Sequence, residues 1–121
     1  MTKPVRIQRK RTSGFSMQQE SRRINGLECV YVGRPTKYGN PYIPNEICFC
    51  PMRKEKILCG SQAHCVDLFE ELVCWQMKEH LLTAEYISDI SGKNLACFCP
   101  LDQPCHADVL LIIANAEQRN E

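Results

Sequence analysis

Two short apolar runs, ECVYV at 28–32 and NLACF at 94–98, each break off into a segment dense in glycine, proline and polar residues. No other feature of the chain limits its fold as much. Runs of β-branched and aromatic residues closed by Gly33 in one case and Pro100 in the other read as strands ended by turns. After the first, Val66, Phe69, Leu72, Val73, Met77 and Leu81 recur at three- and four-residue steps, which predicts a helix opened by Ser61 as its cap. The second leads through the loop LDQP into a helix over 105–118, with Val109, Leu110, Ile112, Ile113 and Ala116 apolar and Asp108 in its first turn. The repeated order of strand, loop and helix predicts an α/β fold, a small single-domain Rossmann-like sheet flanked by helices. In such sheets ligands gather at the C-terminal ends of the strands, where segments 33–41 and 97–108 both fall.

The remaining stretches are less regular. Val5 and Ile7 alternate with polar residues as in an edge strand, and residues 12–20 read as a polar loop. Residues 44–60 fit a hairpin or an irregular excursion, and 83–90 adds a helical turn before Ser91 and Gly92.

A chain of 121 residues has room for one core. Its first 23 residues set Lys3, Arg6, Arg9, Lys10, Arg11, Arg22 and Arg23 against Glu20 alone. Residues 1–24 therefore read as a basic, partly flexible segment preceding an α/β domain over 25–121, with nucleic-acid binding by that segment as the weaker reading. No apolar run approaches the length of a membrane span and the first residues lack the apolar core of a signal peptide, so the expectation is a soluble cytoplasmic protein with no membrane partner. Nine cysteines, an odd number with no export signal, favour reduced thiols, metal ligation or thiol chemistry over disulfide staples.

Segment 33–41, GRPTKYGNP, combines conformationally permissive glycines with fixed prolines and carries cations and donors. Gly33, Arg34, Thr36, Lys37, Gly39 and Asn40 are candidate contacts for a phosphate-bearing ligand, while the bland alternative is a tight turn. The chain has neither GxxxxGK[ST] nor GxGxxG.

Segment 97–108 offers two readings. Cys97, Cys99, Cys105 and His106 form a candidate Cys₃His zinc site, although zinc knuckles usually space paired cysteines more widely. Alternatively Cys105, at a helix N-terminus beside His106 and Asp108, is a candidate nucleophile, but adjacent helical residues diverge and do not favour a direct Cys–His pair. Alternation along the strand sends Cys97 and Cys99 to one face and Phe98 to the other. Burial of Cys97 and Cys99 as small apolar residues is the structural alternative. A near-copy, Cys48-Phe49-Cys50-Pro51, raises the option of a four-cysteine site between the two CFCP pieces. A zinc deaminase is excluded, because Pro104-Cys105 has Asp108 where the second cysteine of P-C-x-x-C belongs.

With VYVGRPTKYGNPY at 30–42 and GKNLACFCPLDQPCHADVLLIIAN at 92–115, the chain resembles the family called domain of unknown function 4326, small proteins of phages and bacteria. The resemblance places Gly33, Arg34, Lys37, Gly39, Asn40 and Pro41 in a first motif. Cys97, Cys99, Pro100, Cys105, His106 and Asp108 fall in a second. It implies a host-cell cytoplasmic setting if the protein is phage-encoded. Phe98 stands where tryptophan is common, and Cys48, Cys50 and Cys59 fall in a variable stretch. The leading expectation is a domain that binds, and in one version hydrolyses, a nucleotide-derived, phosphate-bearing ligand. A zinc-binding structural or interaction module without catalysis is the alternative.

Overall fold

The computed structural model describes residues 2–115. In chain order the elements are β1 (Arg6–Gln8), α1 (Met17–Asn25), β2 (Cys29–Tyr31), β3 (Ile47–Cys50), β4 (Glu55–Leu58), α2 (Gln62–Lys78), α3 (Ala84–Ser88), β5 (Asn94–Cys97) and α4 (His106–Ala114). β1, β5 and β2 form a parallel sheet with β5 in the middle, aligning Ile7 with Ala96 and Val30 with Leu95. β3 and β4 form a separate antiparallel hairpin. The α/β class holds, with three strands against the roughly six of a full dinucleotide-binding sheet.

Alternation along β5 assigns its faces. Leu95 and Cys97 turn toward α2 and α4, where they meet Val32, Phe69, Val73 and Leu110. Ala96 turns the other way, onto Ile7 and Cys29, with Met17 of α1 closing that side. A third cluster, Tyr42, Cys50, Cys59, Cys65, Leu68 and Leu72, lies between the hairpin and α2. Because the three strands are parallel, the chain leaves β2 and β5 at the same edge, and segments 33–41 and 97–108 emerge side by side.

Several expectations need correction. The loop expected over 12–20 is helical from Met17, capped by Ser16 Oγ accepting from the Gln19 N–H and ended by left-handed Gly26. Residues 1–24 are not an appendage to the sheet, since they supply its strand β1 and helix α1; Ile7 is only 2% exposed and anchors them. Leu81 lies beyond the end of α2, after His80 turns the chain at φ 57, and it is exposed together with Met77. Ile112 is also exposed, because the run VLLII is wider than the buried face of α4. The part of the helix expected over 116–118, with Ala116, lies outside the described residues. Among the described residues no helix is long and apolar enough to cross a membrane.

Candidate functional site

Cys97 ends β5, Cys99 follows two residues on, and Cys105 is the N-cap of α4. Their three sulfur atoms lie within 4.8 Å of one another, and the Cys97 and Cys99 sulfurs are 3.7 Å apart. Bringing Cys105 back to the strand end requires residues 100–104 to fold tightly, and Arg6 on β1 holds that loop. Its guanidinium donates to the carbonyls of Pro100, Leu101 and Gln103 at 3.3, 3.0 and 2.8 Å, and its Nε meets Asp108 Oδ1 at 3.1 Å. Gln62, in the first turn of α2, donates to Cys99 Sγ and to the Pro104 carbonyl.

The electrostatics of the triad are uneven. The neighbouring sulfurs of Cys105 and then Cys99, with the Cys99 N–H and the nearby His106 adding to them, hold the Cys97 thiol far below its ordinary range. Cys105, beside the sulfurs of Cys97 and Cys99 and wholly buried, is pushed far up. Cys99 is drawn down by Cys105 but raised more by Cys97 and burial. Cys105, the expected nucleophile, is 0% exposed.

His106 lies outside the group of sulfurs. Its Nε2 is 2.7 Å from the Val32 carbonyl, which only accepts, so the ring donates there. The other nitrogen faces Cys105 Sγ at 3.7 Å, and the ring stands edge-on to Phe69. This buried imidazole ties α4 to the end of β2. Asp108 is engaged by Arg6 and is not among the residues lining the cleft.

Cys97, Cys99 and His106 line a cleft of about 350 Å³ that Gly33, Arg34 and Asn40 line from the other segment. The two segments thus share one cleft. Arg34 is exposed and spends one guanidinium nitrogen on the Asn40 carbonyl at 2.9 Å. Asn40 is structural at both ends of its amide, donating to the Cys65 carbonyl and accepting from the Tyr42 N–H. Gly39 is required for space, since a Cβ there would sit 3.1 Å from the backbone of Arg34. Thr36 donates to the Gly33 carbonyl and Lys37 pairs with Asp89 at 3.6 Å, so these two expected contacts serve the loop and its neighbours. The Arg34–Pro35 peptide is cis.

Besides His106, an expected site residue, the remaining lining residues are Arg11, Tyr31, Tyr42, Gln62 and Phe98, which were not among the expected contacts. Phe98 was expected on the face opposite Cys97 and Cys99. Strand geometry ends at Cys97, and the ring instead lies on the cleft beside Tyr31. Gln62 is brought in only by the packing of α2, and nothing local in the sequence marks it. The two CFCP pieces do not meet. Cys50 is buried with Cys59 and Cys65 beneath the hairpin, where burial pushes the Cys59 thiol up to about 11. Among the described residues the only group of three or more possible metal ligands is Cys97, Cys99 and Cys105, and all nine cysteines are free.

A family model described as Domain of unknown function (DUF4326) matches residues 7–116. No curated protein and no solved structure matches the chain.

Proposed function

The chain belongs to the DUF4326 family, and from the geometry of its own residues we propose that Cys97, Cys99 and Cys105 hold a zinc ion at the floor of an anion-accepting cleft. The observation that carries this reading is the sulfur spacing. Four sulfurs placed tetrahedrally at zinc–sulfur bonds of about 2.3 Å are about 3.8 Å apart, and the Cys97 and Cys99 sulfurs stand 3.7 Å apart. The Cys99 N–H favours the charged form of Cys97, and a bound metal ion would displace the proton that the neighbouring sulfurs and burial hold on Cys105. A zinc ion held by the three cysteines would be reached from the cleft that Cys97 and Cys99 line. A zinc ion bound in this way supplies a Lewis acid with one exchangeable site.

Three thiolates around a divalent ion leave one negative charge. Arg6 lies near Cys99, while Arg11 and Arg34 stand on the cleft. Those two cations favour the second part of the reading, a phosphate-bearing ligand seated between the two segments. Arg34 has the planar fork for it and keeps part of that fork clear of the Asn40 carbonyl. Hydrolysis of such a ligand, and a purely structural role for the zinc, are the finer versions of this proposal.

The test is metal content and affinity of the reduced protein purified without chelator. We expect one zinc per chain and, on cobalt substitution, thiolate-to-cobalt charge-transfer absorption. Cys97→Ser, Cys99→Ser and Cys105→Ser should each lose the metal, while Cys48→Ser and Cys50→Ser keep it. A protein that binds no zinc, or whose zinc depends on Cys48, refutes the reading.

A further inference from the structure

Resting on the reading of the cleft as an anion site, we propose that the wall formed by Tyr31, Phe98, Arg9 and Arg11 receives a nucleobase, so that the ligand is a nucleotide, free or at the end of a single strand. Tyr31 at the end of β2 and Phe98 just past β5 stand edge to face, their ring centroids 5.8 Å apart at 72°. Each ring carries a guanidinium. Arg9 lies 4.6 Å from the centroid of Tyr31, and Arg11 lies 4.3 Å from that of Phe98. Tyr31 is fixed in place by its hydroxyl, which donates to the Arg34 carbonyl at 3.0 Å.

Three features point to a base. First, Phe98 is only half-buried, and the group covering its face is an exposed arginine beyond the end of β1. A planar base can enter between the ring and that guanidinium, gaining stacking on one side and a cation over the other. Second, Arg9, Arg11 and Arg34 have no carboxylate partner among the described residues, although Arg6, Arg23, Lys37 and Arg53 each have one. The fold thus leaves uncompensated cations around one aromatic surface, a combination that matches a base joined to a phosphate rather than a purely apolar ligand. Third, Phe98 and Arg11 line the same cleft as Arg34, so base and phosphate are accommodated in one volume of about 350 Å³, within the usual range for small-molecule sites.

Isothermal titration of the reduced full chain, with and without one equivalent of zinc, tests this at low salt with inorganic phosphate, ribose 5-phosphate, a panel of nucleoside monophosphates and a four-nucleotide single strand. At least one monophosphate should bind about tenfold or more tightly than ribose 5-phosphate. Phe98→Leu, which keeps apolar volume but loses the ring face, should erase that advantage. Arg11→Ala, at an exposed position, provides a second variant should Phe98→Leu melt early. A monophosphate that outcompetes the strand per site identifies a free nucleotide, and a tighter, salt-sensitive strand identifies a strand end; both support the proposal. If ribose 5-phosphate binds as tightly as every monophosphate, or if neither variant changes the ratio, the base site is refuted while the anion site stands. If not even phosphate binds, the anion site falls as well.

Discussion

Replacing Arg6 with methionine keeps the buried stem of the side chain and removes its planar fork. The guanidinium makes two good bonds to loop carbonyls, at 2.8 and 3.0 Å, a longer one at 3.3 Å, and an ion pair with a half-exposed Asp108. Charge-assisted bonds are worth roughly 1.5–3 kcal/mol each. The carbonyls face solvent and water can replace their donor, so we take the low end for the two good bonds. The long bond and the ion pair add little. The sum is a loss of about 2–4 kcal/mol, which for a domain of this size lowers Tm by about 10 °C. Arg6→Lys should recover little of it, because one ammonium cannot serve three carbonyls spread over residues 100–103. Thermal melts of both variants, followed by zinc titration against a competing chelator, measure the effect. The loop between two thiol ligands becomes free to move, so zinc affinity should fall about tenfold or more. If Arg6→Met melts within about 2 °C of the parent and binds zinc equally well, or if Arg6→Lys behaves as the parent, the clamp has been misread.

Gly39→Ala should cost about 1–3 kcal/mol by overpacking against the Arg34 backbone, with a lower Tm whether or not ligand is present; an unchanged melt contradicts the close approach. Timed alkylation read by mass spectrometry should label half-exposed Cys99 well before wholly buried Cys105, and zinc should protect both; equal labelling rates would be inconsistent with the burial described. Arg34→Ala should abolish phosphate binding with little change in Tm, since the exposed guanidinium makes a single bond to the Asn40 carbonyl. A large fall in Tm without ligand would make Arg34 a structural residue.

The strands that carry the site were readable because both are short apolar runs with hard stops, and parallel pairing then brings their ends together. The body of α2 follows equally from local pattern, whereas residues 44–60 fitted a hairpin or an irregular excursion and only the structure selects the hairpin. α1 escaped a search for apolar periodicity because it is polar almost all round. Its signal was instead the pair Ser16 and Gln19, a capping box, with Gly26 as the stop. The order of the three thiols could not be assigned from sequence, since helix position alone favours an ionised Cys105, whereas the neighbouring sulfurs and burial push Cys105 up and Cys97 is drawn down. Arg6 was read as one charge among seven in a basic segment. Its partners lie more than ninety positions away, and no local rule reaches that far.

The middle strand of the sheet is the last one in the chain. β1 and β2 each pair with β5 and not with one another, so no hydrogen bond of the sheet forms until residues 94–97 have been synthesised. The hairpin and α2 are local and can form earlier, while β1 waits for a partner nearly ninety residues downstream. Such distant closure slows folding, because its entropy cost precedes any reward. The thiols of Cys97 and Cys99 arrive with β5, and the Arg6 that shapes their loop arrives with β1. Birth of the sheet and assembly of the cysteine cluster are therefore one late event, and a nascent chain stopped short of β5 would have neither.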